Sequence, residues 1–147
     1  MIKLSPMLDW RKAVEDIGKE HVSAVHIVSV NNECKELLIL VECGGRSVEG
    51  EYSVHCVNLL SDGSEERFEF DAQTASPTKT SHFSLLTFHF LFSPNASVMK
   101  AGCFDLLAER FGVKPLHANS HLFVSDAEVP DFPGRGFIVE KMISYIL

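Results

Sequence analysis

The stretch from Ser93 to Gly112, SPNASVMKAGCFDLLAERFG, restricts the fold more than any other part of this chain. Ser93 can cap a helix with Pro94 at its first position, Asn95 is a second possible cap, and Gly112 suits the left-handed residue past a helix end. Between them Val98, Met99, Cys103, Leu106, Leu107 and Phe111 recur at helical spacing. Such a stripe has to face a core, which predicts a helix of about four turns docked on a sheet.

A core of that kind is within reach of a 147-residue chain that is 46% apolar with 11 Phe. The composition excludes a disordered tail, and no apolar run approaches the roughly 18 residues of a membrane span. The start, MIKLSPMLDW, has no long apolar run and no small-residue cleavage site, so it does not read as a signal peptide, and the expectation is a cytoplasmic globular protein. Four widely spaced cysteines, Cys34, Cys43, Cys56 and Cys103, form no CxxC pair and read as small thiols within apolar runs. The net charge of −7 is unevenly placed. Met1 to Phe92 holds 8 Lys and Arg against 14 Asp and Glu, whereas Ser93 to Gly136 holds 4 against 5. A nucleic-acid partner would therefore be gripped locally, without a broad basic face.

In chain order, Ile2 to Leu4 reads as a short strand and Ser5-Pro6 as a turn. Asp9 caps a predicted helix that runs through Ile17 and stops at Gly18. His21 to Val30 and Lys35 to Cys43 read as strands joined by an Asn31-Asn32-Glu33 turn. Strand, helix, strand, tight turn and strand predict a parallel crossover followed by a hairpin, as at the edge of an α/β sheet. The glycine-rich segment Gly44 to Gly50 marks a boundary. Tyr52 to Leu60 and Glu65 to Phe70 flank Asp62-Gly63 and predict a second hairpin. A polar loop from Asp71 to Ser81 leads to an apolar strand, Ser84 to Phe92. That hairpin, strand and helix predict a small α+β layer of the ferredoxin-like kind. His121 to Val124 and Gly136 to Ile146 read as further strands around a proline-rich corner.

Chemistry-bearing motifs are sparse. His117 and His121 are four apart, but Pro115 and Asn119 oppose a helix there and no acidic third ligand stands at a suitable spacing, so no metal site is expected. His26, His55 and His89 alternate with apolar residues inside strands and read as partly buried, hydrogen-bonded histidines, since nothing in the sequence pairs them with a nucleophile and an orienting carboxylate. Neither a dinucleotide-binding nor a P-loop glycine pattern occurs. Arg135, in Gly134-Arg135-Gly136, could contact a phosphate, although pairing with Asp131 is the better reading.

The words IKLSPMLD, VSVNNECKELL, SPNASVMKAGCFDLLAERFG, LHANSHLFVSD and DFPGRGF, in that order, resemble the C-terminal half of a bacterial class I S-adenosylmethionine-dependent methyltransferase family with a THUMP-like region and a ferredoxin-like insert. The resemblance covers nearly the whole chain. It implies an α/β (α+β) fold: the C-terminal edge of a Rossmann-type methyltransferase sheet in residues 1–45, a ferredoxin-like α+β accessory domain in 46–112, and the start of a THUMP-like segment, truncated, in 113–147. It also implies a fragment of an RNA-directed enzyme, whose glycine-rich cofactor loop and catalytic motif lie upstream. S-adenosylmethionine belongs to the intact family member, and none is expected to bind this chain alone. Carried over residue by residue, Lys3, Ser5 and Pro6 stand at the active-site edge, and Asn95, Lys100, His117, Asn119, His121 and Arg135 form the polar, substrate-binding face. RNA is the implied partner. A non-enzymatic module binding RNA or protein is the alternative, and an incomplete sheet edge would allow self-association.

Overall fold

A computed structural model describes residues 1–44, 51–74, 88–117 and 119–142. Strand β1 (Ile2–Leu4) leads through the Ser5-Pro6 turn to helix α1 (Trp10–Ile17), where Asp9 accepts a hydrogen bond from the Arg11 amide and Gly18, at φ 94°, ends the helix. After one 3-10 turn (Lys19–His21) come β2 (Val22–Val30) and β3 (Glu33–Val41). Asn31 and Asn32 hold φ of 48° and 65°, the double left-handed conformation of a two-residue hairpin turn, which asparagine tolerates better than most residues. β3 lies between β1 and β2 and is antiparallel to both, so β1 and β2 run parallel across a helical crossover, as the sequence predicts.

The next hairpin, β4 (Ser53–Leu59) and β5 (Glu65–Asp71), turns at Gly63, φ 85°. The sequence reading assigns it to the small accessory layer. In the structure β4 pairs parallel with β2 from Ala24/Ser53 to Val30/Leu59, and the hairpin extends the first sheet to the order β1-β3-β2-β4-β5. The sheet thus crosses the boundary expected at Gly44 to Gly50, of which residues 45–50 lie outside the described residues. Residues 84–87 of the expected Ser84 to Phe92 strand, 75–81 of the polar loop and 143–146 of the last strand also lie outside them.

The Ser93 to Gly112 stretch departs from the single helix predicted for it. Ser93 and Pro94 end strand β6 (Phe90–Pro94), and Asn95 is the cap of α2 (Ala96–Ala101), accepting from the Ser97 and Val98 amides. Gly102, left-handed at φ 65°, breaks the helix, and a second one, α3 (Phe104–Phe111), follows. The break is held from outside: the Arg11 guanidinium donates to the Ala101 carbonyl at 2.7 Å, occupying an acceptor the continuing helix would have used. In α2 Val98 and Ala101 face the core and Met99 faces outward, and beyond the break Cys103 and Leu107 are buried.

β6 sits in a second sheet of order β7-β8-β6-β9, with β7 at Lys114–Pro115, β8 at Phe123–Ser125 and β9 at Gly134–Ile138. The final strand therefore begins two residues before the expected Gly136 and ends at Ile138. One apolar cluster joins the two sheets. It takes Trp10 and Val14 from α1, the inner face of the first sheet (Val25, Ile27, Leu37, Ile39, Val54, Cys56, Phe68, Phe70), Val98 and Leu107 from the helices, and Phe92, Phe123 and Phe132 from the second sheet and its corner. Phe132 packs edge-on or tilted against Phe92, Phe111 and Phe123, with centroids 5.0, 5.6 and 6.4 Å away. No helix among the described residues is long and apolar enough to cross a membrane.

Candidate functional site

At the C-terminal ends of β2 and β4 the inner face of the first sheet turns from apolar to polar. Ser29 and Asn58, both buried, follow the inward-facing Val25 and Ile27 of β2 and Val54 and Cys56 of β4. Asn58 Oδ1 accepts from Ser29 Oγ at 2.8 Å and from the Asn32 amide at 3.0 Å, while Asn58 Nδ2 donates to Glu66 Oε2 at 2.9 Å. From the cap of α2 Asn95 Nδ2 donates to the same oxygen at 2.8 Å, and Asn95 Oδ1 takes the Ser97 and Val98 amides. Asn32 Oδ1 accepts from the Ala96 amide at 2.7 Å. Three asparagines and Glu66 thus lace the hairpin turn, β4, β5 and the start of α2 into one network.

Above the network lies a cavity of about 360 Å³ lined by Asn31, Asn32, Asn58, Glu66, Ser93, Asn95 and Arg135, among others. Asn32 and Ser93 also line an adjoining groove that passes Pro94 and Met99 to Lys100. Gly134 allows this closeness: a Cβ there would run into the Ser93 carbonyl and the Pro94 backbone. Arg135 stands opposite Ser93 on β9, is exposed, and makes no ion pair among the described residues, so the pairing with Asp131 read from the sequence does not form.

The cavity and its adjoining groove bring together three of the residues expected from sequence, Asn95 and Arg135 in the cavity and Lys100 in the groove. They do not gather the others. His117 Nδ1 accepts from the Asn119 amide at 3.1 Å on an exposed turn, and the His121 ring stacks on Phe104 at 4.3 Å. Lys3 pairs with Glu36 at 2.8 Å, and Ser5 accepts from the Met7 amide ahead of α1, with Pro6 in the same turn. No group of three or more metal-ligating side chains occurs among the described residues. Asn31, Asn32, Asn58 and Glu66 were not singled out by sequence. The turn dipeptide Asn31-Asn32 was visible, but only its pairing with β4 reveals that it borders a cavity.

A second constellation lies on the opposite face of the first sheet. His26 and His55 are register partners on β2 and β4, and their rings stack at 4.5 Å, 8° from parallel. His55 Nε2 is 2.8 Å from Ser53 Oγ, and its Nδ1 is 3.1 Å from Glu69. Nothing in the sequence pairs His55 with a nucleophile or a carboxylate; the structure supplies both, one from two residues away on the strand and one from the cross-strand partner on β5. β4 pairs along its whole length with β2 and β5, so its amides are spent on the ladders and none remains to hold an oxyanion. The His26 pKa is lowered, first by burial and then by the facing His55.

The described fold is mixed α+β, with a ferredoxin-like domain. A family model for a ferredoxin-like domain matches residues 90–133, which span β6, α2, α3, β7 and β8. The chain is also similar to a crystal structure of a protein from Porphyromonas gingivalis W83, provisionally described as a methyltransferase: 31% identity, a TM-score of 0.84, and 98% of this chain against 35% of that one. The chain thus spans about a third of that relative's length. A comparison with curated proteins gives no match.

Proposed function

We propose that this chain supplies the sheet edge and the substrate-holding accessory region of a class I S-adenosylmethionine-dependent methyltransferase acting on RNA. The observation that carries this reading is the polar groove at the C-terminal ends of the parallel strands β2 and β4, the edge at which open α/β sheets bind ligands. The likeness to the Porphyromonas gingivalis protein supports the methyltransferase relation. The order β1-β3-β2, an antiparallel strand inserted between two parallel ones, is consistent with the end of a Rossmann-type sheet.

The residues of this chain do not by themselves fit the cofactor. β1 is followed by Ser5-Pro6 and α1, with no glycine-rich turn to approach it. In this reading the cofactor is held by sequence outside the 147 residues, and the residues within them position the substrate. Arg135 and Lys100 would take phosphates at the two ends of the groove, and the asparagine network would hold its floor rigid. The second sheet and any THUMP-like continuation would extend that surface.

Filter binding of cellular RNA tests the reading. Wild-type protein retains RNA at low salt and the double variant Lys100→Ala, Arg135→Ala loses most of it; unchanged retention overturns the substrate-holding role. Calorimetry with S-adenosylmethionine is expected to show no tight binding to the chain alone, and tight binding would overturn the division of labour.

A further inference from the structure

The hydrogen bonds of the asparagine network leave a particular set of valences unspent. A carboxylate offers about four acceptor positions. Asn58 and Asn95 occupy only Oε2 of Glu66, so Oε1 has no partner among the described residues. Asn32 commits its Oδ1 to the Ala96 amide, which fixes the orientation of the amide and leaves its Nδ2 donor unspent. Asn58 and Asn95, by contrast, are used at both ends, and serve as frame. The cavity wall therefore presents a fixed acceptor and a fixed donor, while Arg135 at the rim and Lys100 along the groove present cations.

Among nucleobases, guanine answers this pair best. Its N1–H and N2–H₂ are two adjacent donors that can converge on the open oxygen Oε1 of Glu66, whose Oε2 is already taken by Asn58 and Asn95, and its O6 beside them accepts from an amide N–H. Uracil brings a single N–H flanked by two carbonyls that the carboxylate repels, and adenine and cytosine bring one amine beside a ring acceptor. A cavity of about 360 Å³ is at the small end of ligand sites and suits one base. We propose that this cavity is a guanine-reading pocket for a single-stranded RNA, with Glu66 and Asn32 contacting the base and Arg135 and Lys100 the flanking phosphates. This rests on the RNA reading above and adds to it a base preference.

Fluorescence anisotropy with labelled tetranucleotides UUGU, UUAU, UUCU and UUUU tests it. UUGU is expected to bind about tenfold or more tighter than the other three, the discrimination typical of a paired base edge. Replacing the guanine by hypoxanthine, which lacks the N2 amine, should give an intermediate affinity. Asn32→Asp keeps the acceptor for Ala96 but turns the base-facing donor into an acceptor, and should abolish the preference. Arg135→Ala should weaken all four strands alike and flatten their salt dependence. Equal affinity for the four strands, or a guanine preference that survives Asn32→Asp, overturns the pocket; the wild-type comparison alone decides this even if the variant does not fold. Guanosine monophosphate competing at the concentration of UUGU would keep the base assignment and make a free nucleotide its source. Absence of binding to any strand or nucleotide overturns the RNA reading as well.

Discussion

Asn95 donates to Glu66 across 2.8 Å, and this one hydrogen bond joins the cap of α2 in the second sheet's connection to β5 of the first sheet. Both ends of the amide are in use, since Oδ1 also receives Ser97 Oγ at 2.7 Å. Asn95→Ala removes a cap, worth about 0.5–2 kcal/mol, and leaves a partly buried carboxylate with one donor fewer, about 1–3 kcal/mol more. The expected loss is therefore in the range of about 1.5–5 kcal/mol, read from urea unfolding midpoints at constant m-value. Asn95→Asp keeps the cap but sets a second carboxylate against Glu66, so it should be destabilised as well, less so at acid pH.

The aromatic corner gives a second expectation. Phe132 is 6% exposed and touches three other phenylalanines, so truncation to Ala leaves a cavity that spans the second sheet and α3. The cost is about 3–5 kcal/mol, and Phe132→Leu should recover much of it. Thermal melts of the two variants check the ranking. Equal melting temperatures for wild type and Phe132→Ala would contradict a single shared core.

How far these relationships could be read in advance depends on their range in sequence. Asp9 with Gly18, Asn31-Asn32 and Asp62-Gly63 carry their own conformational reasons, and the caps and turns appear where those residues stand. The β1-α1-β2-β3 order follows from the same local text. What escaped was decided at long range. Nothing near Tyr52 to Leu60 says that β4 will lie parallel beside β2; the match of two buried faces does. The carbonyl left open at the Gly102 break is met by Arg11, from the far end of the chain. The groove was legible in Asn95, Lys100 and Arg135, whereas Asn58 and Glu66 become part of it only through the β4–β5 pairing.

Gly134 provides a test of the close approach between β6 and β9. Its φ of 154° and the Ser93 and Pro94 backbone leave no room for a Cβ, and neither obstacle is a flexible side chain. Gly134→Ala should push β9 away from β6 and displace Arg135 from the groove. The variant is expected to lose stability by more than the roughly 1 kcal/mol that a compatible glycine-to-alanine change gains. Gly63→Ala, with open space around it, should show only the backbone cost of a left-handed turn. Side-by-side urea curves separate the two.

Cysteine reactivity follows exposure and proton affinity. Cys43 is exposed, Cys34 half-buried, and Cys56 and Cys103 are buried and free. Burial raises the Cys34 pKa, and the Cys56 thiol is pushed up by its hydrogen bond to Cys103 and by burial. Brief alkylation of the native protein near pH 8 should therefore mark Cys43 first and leave Cys56 and Cys103 unmarked until denaturant is added. Peptide mass spectrometry reads the order, and early labelling of Cys56 would contradict its place between β2 and β5.

The stacked histidines predict a pH dependence whose sign is set by the fold. His26 is held below its ordinary value of 6.5, by burial first and by His55 second; Arg67 adds to the lowering and Glu69 opposes it. A depressed histidine pKa means that the unfolded chain takes up a proton more readily than the folded one. The contribution of neutral His26 is thus complete above pH 6.5, shrinks as the pH falls through that value, and is gone below the folded-state pKa. Urea midpoints of the wild type should fall between pH 7.5 and 5.5 more steeply than those of His26→Gln, which keeps the strand but cannot titrate. A wild-type curve parallel to that of the variant would show that the stacked pair carries no such penalty, and one that rose toward acid pH would mean that Glu69 outweighs the burial of the ring.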